Sequence, residues 1–490
     1  MTFDDPVPPV ADDAQDPDEL IVSPRRFRWA LLASMIVVLM GGGAAAWVVL
    51  RDDGPSHPDE WDIRVLDLVE LVEEERGLTF DHPIHVDFLT DEEFRDNVTA
   101  DEDALTDEER EEIEQFTGLM RAVGLVEGDV DLFAASNELS GGAVVGLYEF
   151  ESQRIHVRGE ELGVNARVTL VHELTHALQD QHFDIDRFED LETDGEALAF
   201  RAVIEGDANR IEARYEEQLS EEDTASYDEE QQEEAQEVPP GLADVPDSLK
   251  AYFSAPYALG GAFVALIEEL NGEIAIDELF LEPPTTEEQL FNPWVFIEGE
   301  GAIDIDEPEL TEDEEHIDDG DFGVLTWYLM LAERLDPVAA LDAVDGWGGD
   351  AYVAFVRDGV TCARVAYAGD SSADTEQMLS AVREWIGALP GDSASVEQDG
   401  SGFVLESCDP GAHADLDLPG RSTEVIGIPI VRTYVAVGAL QDGAPDNSAE
   451  CFANELVHRF PVDRLVGENS AAEPNPDEIA LLQEIGARCR

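Results

Sequence analysis

The stretch NARVTLVHELTHALQDQHF, residues 165–183, decides the reading of the chain. Val168, Val171, Leu174, Thr175 and Leu178 recur at helical spacing, which predicts a helix with one buried side. Within it stands His172-Glu173-Leu174-Thr175-His176. Residues i and i+4 of a helix share a face with Cβ atoms about 6 Å apart, so two imidazoles there can converge on one metal ion. Glu173 falls beside that point rather than on it. A carboxylate so placed can take a proton from water and pass it on.

The pattern predicts one Zn²⁺ held by His172, His176 and a third ligand. A His-x-x-Gly-x-x-His continuation is absent, because ALQDQHF follows His176. His182, six residues on, is at the wrong distance for a straight helix. The alternative is a carboxylate on the helix predicted over residues 196–219, where Glu196, Glu205 and Glu212 are the candidates. Glu205 is preferred. It interrupts the largely apolar run ALAFRAVI, and a lone buried carboxylate is costly unless paired or bound to metal. Glu196 and Glu212 lie nearer charged neighbours and read as solvated. Groups that orient metal ligands are expected nearby. Asp180, on the face of His176, and Asp207 and Asn209, within a turn of Glu205, are the candidates. Tyr257 and His316 are candidate stabilisers of a developing oxyanion.

HELTHALQDQHF followed by EGDA resembles the gluzincin side of the zinc metallopeptidases, whose third ligand is a glutamate on a later helix. More narrowly, six blocks resemble a group of exported bacterial HExxH proteins. They are GLYEFESQRIHV (146–157), TLVHELTHALQDQHFD (169–184), VIEGDA (203–208), PYALGGAFV (256–264), PPTTEEQLFNP (283–293) and GWGGD (346–350). The chain departs from that group at Asn292, where a histidine usually stands. The resemblance implies an α+β fold with a zincin-like core, and hydrolysis of a peptide or protein substrate with Glu173 as general base. The strand at 150–157 is a candidate to bind an extended peptide at its edge. The rival reading is a non-catalytic, membrane-anchored scaffold with a structural or vestigial zinc site. Glu173 separates the two, since a structural site has no use for it.

Charge narrows the partners. Asp and Glu number 114 against 27 Lys and Arg, a formal net charge of −87, and Lys250 is the lone lysine. Such a surface repels nucleic-acid phosphates. The acids are spread along the whole chain, which points to a high-salt habitat where counterions screen self-repulsion.

Residues 29–50 carry no charge and are long enough to span a hydrocarbon core as a helix. Arg25, Arg26 and Arg28 precede them, so the positive-inside rule places residues 1–28 in the cytoplasm and the bulk outside the cell membrane. A cleaved signal peptide ending near 44–46 is the alternative. Either way, Cys362, Cys408, Cys451 and Cys489 meet an oxidising compartment. The sequence-local pairing Cys362–Cys408 and Cys451–Cys489 is expected.

The chain therefore divides into a disordered tail (1–28), a transmembrane helix (29–50), an α+β region (59–135), a zinc metallopeptidase-like domain (136–345) and an α+β C-terminal domain with the cysteines (346–490). Capping boxes at Thr90/Glu93 and Thr106/Glu109 each predict a helix start. Strands are expected over 84–89, and within 141–157 as a hairpin. The acidic stretch 216–247 reads as an exposed loop, and 345–350 as a glycine-rich turn. From the charge, the thermal midpoint should rise steeply between dilute buffer and molar salt, followed by circular dichroism. Equal midpoints in the two would contradict the halophilic reading.

Overall fold

The computed structural model describes residues 56–490 apart from 160–161, 192, 237–239, 390, 392, 468 and 471. The stretch 29–50 and the tail before it lie outside the described residues. The described chain is α+β, with two sheets set among helices.

The first sheet has the order β1-β3-β2, with β1 at His85–Leu89, β2 at Gly146–Glu149 and β3 at Arg154–Arg158. β3 runs parallel to β1 and antiparallel to β2, so the expected hairpin is the β2–β3 pair. Helix α1, Leu66–Arg76, precedes this sheet and ends at left-handed Gly77. Both capping boxes form. One starts the helix Asp91–Val98, and the other starts α2, Asp107–Ala122. The HExxH stretch forms α3, Val164–Phe183. Alternation along β3 buries Ile155 and Val157 against Val168, Val171, Leu174 and Leu178 of α3. One apolar face of the sheet thus covers one side of the helix.

The next helix, α4, spans Asp194–Glu216, and Thr193 caps it by accepting the Glu196 N–H. The acidic stretch after it is not the exposed loop expected from composition. Most of it is α5, Glu221–Gln236. Glu, Gln and Ala are good helix formers, and Ser220 begins the helix by accepting the Asp223 N–H. Asp223 pairs with Arg167 at 2.5 Å, and Glu230 accepts the Asn165 N–H at 3.2 Å. These contacts hold α5 over the N-terminal end of α3, where negative charge suits the helix dipole.

Helix α6, Asp247–Asn271, crosses α4 at two glycines. A Cβ on Gly260 would stand 1.9 Å from the Ala202 carbonyl oxygen, and one on Gly206 would stand 2.3 Å from that of Gly260. Only glycine permits this backbone contact. It fixes the height of Glu205, the neighbour of Gly206, in the core.

The second sheet is antiparallel, in the order β4-β5-β6-β8-β7. Its strands are β4 Glu315–Gly320, β5 Trp347–Arg357, β6 Val360–Gly369, β7 Ala394–Asp399 and β8 Gly402–Cys408. The helices α7, Val324–Ala332, and α8, Ser372–Ala388, pack into the same core as this sheet. That core also takes Leu119 and Met120 of α2 and Phe200 of α4. It therefore runs across the boundaries expected at 135 and 345, and β4 itself comes from the near side of the second one. Cys362 and Cys408 face each other across β6 and β8 and are bonded. Cys451 and Cys489 join α9, Asp446–Arg459, to the end of α10, Pro476–Arg488. These are the sequence-local pairs.

Of the turn expected over 345–350, only Asp345 and Gly346 are one. Trp347–Asp350 opens β5, and its glycines serve a close approach. A Cβ on Gly349 would stand 2.2 Å from the Ile303 carbonyl oxygen, and the Ile303 N–H donates to Gly348. Asp350 accepts the indole N–H groups of Trp327 and Trp347.

Glu287 is buried nearby, and its carboxylate accepts the Leu325 N–H at 2.6 Å. Burial, with the charges of Asp350, Asp321 and Asp194, pushes its pKa up to about 8. An unfolded glutamate titrates near 4.3. Between those values the native state holds a proton that the unfolded state has released, so this group's contribution to stability falls as pH rises. Glu287→Gln should therefore gain stability relative to the parent between about pH 5 and about pH 8 in urea unfolding. Parallel pH profiles would contradict this.

Candidate metal centre

The buried side of α3 carries two histidines one turn apart, and α4 brings a carboxylate to them. His172 Nε2 lies 3.0 Å from His176 Nε2. Glu205 Oε2 lies 3.3 Å from the first and 3.2 Å from the second. The three residues are 6 to 8 % exposed. Among the described residues they form the one group of three His, Cys, Asp or Glu side chains able to hold a metal ion.

The hydrogen bonds on the far side of each ring decide what the near side offers. His172 Nδ1 lies 2.9 Å from Glu212 Oε2, an acceptor only, so Nδ1 carries the proton and Nε2 a lone pair. His176 Nδ1 lies 3.0 Å from Gln179 Oε1. The Gln179 amide is not free to flip, because its Nε2 donates to the Ile204 carbonyl at 3.1 Å and to Asp207 Oδ2 at 2.9 Å. His176 Nε2 therefore also carries a lone pair. Two imidazole lone pairs and a carboxylate oxygen face one another with no donor between them.

Such a triangle needs a cation at its centre. A metal ion supplies it, or a proton on an imidazole when no metal is bound. Donors held at 2.0–2.1 Å around a tetrahedral ion stand about 3.3 Å apart, so the observed separations fit Zn²⁺. The electrostatics agree. Burial opposes charge on His172, but Glu205 and Glu212 outweigh it and raise its pKa well above the usual value. Glu205 is held far below the usual carboxylate range, the histidines overcoming its burial. The pocket is arranged around positive charge.

Glu173 is buried beside the pair, and its Oε2 accepts the Tyr148 N–H of β2 at 2.7 Å. Gly146 leaves room for it, since a Cβ there would stand 3.1 Å from Glu173 Cγ. Burial is the main cause raising its pKa. Tyr257 comes from α6 and stacks on His172 with ring centroids 6.2 Å apart. Burial first, and the charge of Glu205 second, raise the phenol's pKa, so it stays a donor.

Other expected residues stand elsewhere. Asp180 does not reach an imidazole. It turns to the sheet, where the Tyr148 hydroxyl donates to it at 2.7 Å. Asp207 acts at one remove, through Gln179. Asn209 donates to the Tyr257 carbonyl at 3.1 Å and so secures α6 rather than a histidine. His316 is exposed on β4 and pairs with Asp319, not with the histidines. Asn292 sits between two short helices, with backbone bonds to Glu288 and Val295. β3 is the central strand of its sheet, so it has no free edge to offer a peptide.

Three residues have roles that the sequence reading does not assign to them. Glu212 is not a solvated acid but the partner of His172. Its spacing from Glu205, two helical turns on one face, was the available signal. Gln179, at i+3 from His176, carried the same kind of signal. Arg201, at i−4 from Glu205, has its Nε 3.7 Å from Glu205 Oε1 and sits near the Tyr257 ring.

Comparison with known protein families, curated proteins and solved structures finds no match for this chain. The site's own geometry must therefore carry the functional reading. Partners of metal-bound histidines tune affinity, so Glu212→Ala should weaken Zn²⁺ binding about 10- to 100-fold. Competition with a chromophoric chelator measures this, and unchanged affinity would contradict the assigned role.

Proposed function

We propose that the protein is a zinc-dependent metallopeptidase with a zincin-like core, anchored in the cell membrane through residues 29–50 and acting outside the cell. The observation that carries this reading is the buried Glu173 carboxylate next to three converging lone pairs. A purely structural site gains nothing from a second buried acid, whose desolvation is costly.

His172, His176 and Glu205 would hold the ion. A bound zinc ion supplies Lewis-acid polarisation of a carbonyl and makes water more acidic. The chain's own residues do the rest. Glu173, oriented by the Tyr148 amide, is placed to receive a proton from water and return it to a leaving amine. Burial makes it a stronger base than a solvated carboxylate. Tyr257 and Arg201 offer donors beside the histidine pair for charge developing on a substrate oxygen. Glu212 and Gln179 keep both imidazoles in the tautomer that presents Nε2. Two disulfides accord with export to an oxidising compartment.

The full chain, purified in detergent and molar salt, tests this with casein or a peptide library. The expected result is one equivalent of zinc, cleavage abolished by a chelator, and loss of at least about 100-fold in rate for Glu173→Gln with zinc retained. Zinc retained in both proteins with no difference in cleavage would overturn the catalytic reading and leave the scaffold reading.

A further inference from the structure

We propose that Arg76 is a positioning residue for the metal centre, acting through Asp207 and Gln179 on His176. The inference rests on the metal-binding reading of that centre.

Arg76 ends α1, and 131 residues separate it from Asp207. Its Nε donates to Asp207 Oδ2 at 2.8 Å, with side chains 2 and 0 % exposed. The same Oδ2 accepts Gln179 Nε2 at 2.9 Å, and Gln179 Oε1 meets His176 Nδ1 at 3.0 Å. The other carboxylate oxygen, Oδ1, is held by Arg210 at 2.7 Å. Each group in this relay has a single productive orientation. Arg76 keeps Oδ2 facing Gln179, Oδ2 together with the Ile204 carbonyl keeps the Gln179 amide from flipping, and the unflipped amide keeps the proton of His176 on Nδ1. Without the guanidinium, Arg210 on Oδ1 would be the carboxylate's remaining ion-pair partner, and the Ile204 carbonyl the one fixed acceptor left to Gln179 Nε2. Gln179 could then turn its Nε2 toward His176 and leave an N–H on the ring nitrogen that faces the metal.

Arg76 is itself fixed. Its Nη1 pairs with Asp277 at 2.7 Å, and the guanidinium lies over the rings of Phe183 and Phe280. Its buried Nη2 has no partner among the described residues. A residue that only anchored α1 to the core would do so at less cost as an apolar side chain, because a buried unpaired donor is destabilising. The helix at the start of the 59–135 region therefore contributes to the site.

The test uses the full chain in detergent and molar salt, with Zn²⁺ affinity by chelator competition and the visible spectrum of the Co²⁺-substituted protein. Arg76→Met should lower affinity about tenfold and alter the Co²⁺ spectrum. Arg76→Lys, which restores the charge, should recover part of the loss. Adding Arg76→Met to Asp207→Asn should cost no further affinity, since both act through one carboxylate. If Arg76→Met fails to fold, Gln179→Met cuts the relay below the ion pair and should show the same loss and spectral change. Parent-like affinity and spectrum in the folded Arg76→Met or, in its place, Gln179→Met variant would overturn the inference and leave the metal reading intact. A parent protein that binds no zinc would overturn both.

Discussion

Three lone pairs within 3.0 to 3.3 Å of one another, in a nearly dry interior, cannot stay without a positive charge among them. Much of the local structure exists to impose that convergence. The sheet presses α3 from one side through Ile155 and Val157. The glycine contact between α4 and α6 sets Glu205 at the level of the two histidines. Glu212 and Gln179 orient the imidazoles from behind.

The second sheet stands apart from this chemistry yet shares its core. Phe200 of α4 packs in the same cluster as Trp327 of α7 and Phe403 of β8. The cysteine-bearing part is thus no detached appendage. It shares one apolar core with the helix that delivers Glu205, and the Cys362–Cys408 bond ties two of its strands. α1 braces the same helix from the opposite end of the chain, through Arg76 and Asp207.

What could be read from the sequence was what is local or strongly periodic. His172, Glu173 and His176 lie within one turn of helix, where spacing alone dictates geometry. Glu205 was legible because a carboxylate in an apolar run demands a reason. Glu212 was not, since Arg210 and Arg214 stand two positions either side of it and only its two-turn spacing from Glu205 links it to the site. The acidic helix α5 was missed because composition counts its charges but not the anchors Arg167 and Asn165. Glycines 348 and 349 were misread because a glycine marks a close backbone approach as readily as a turn. The Arg76 relay joins residues more than 100 positions apart, and no pattern along the chain announces it.

The central claim is that the triangle holds a metal ion through two imidazole nitrogens and one carboxylate oxygen. X-ray absorption at the zinc edge of the purified full chain tests it most directly. The account predicts one equivalent of zinc with a nitrogen and oxygen shell, two imidazoles and no sulfur, lost in His172→Ala. Absence of stoichiometric zinc, or an unchanged spectrum in that variant, would contradict it.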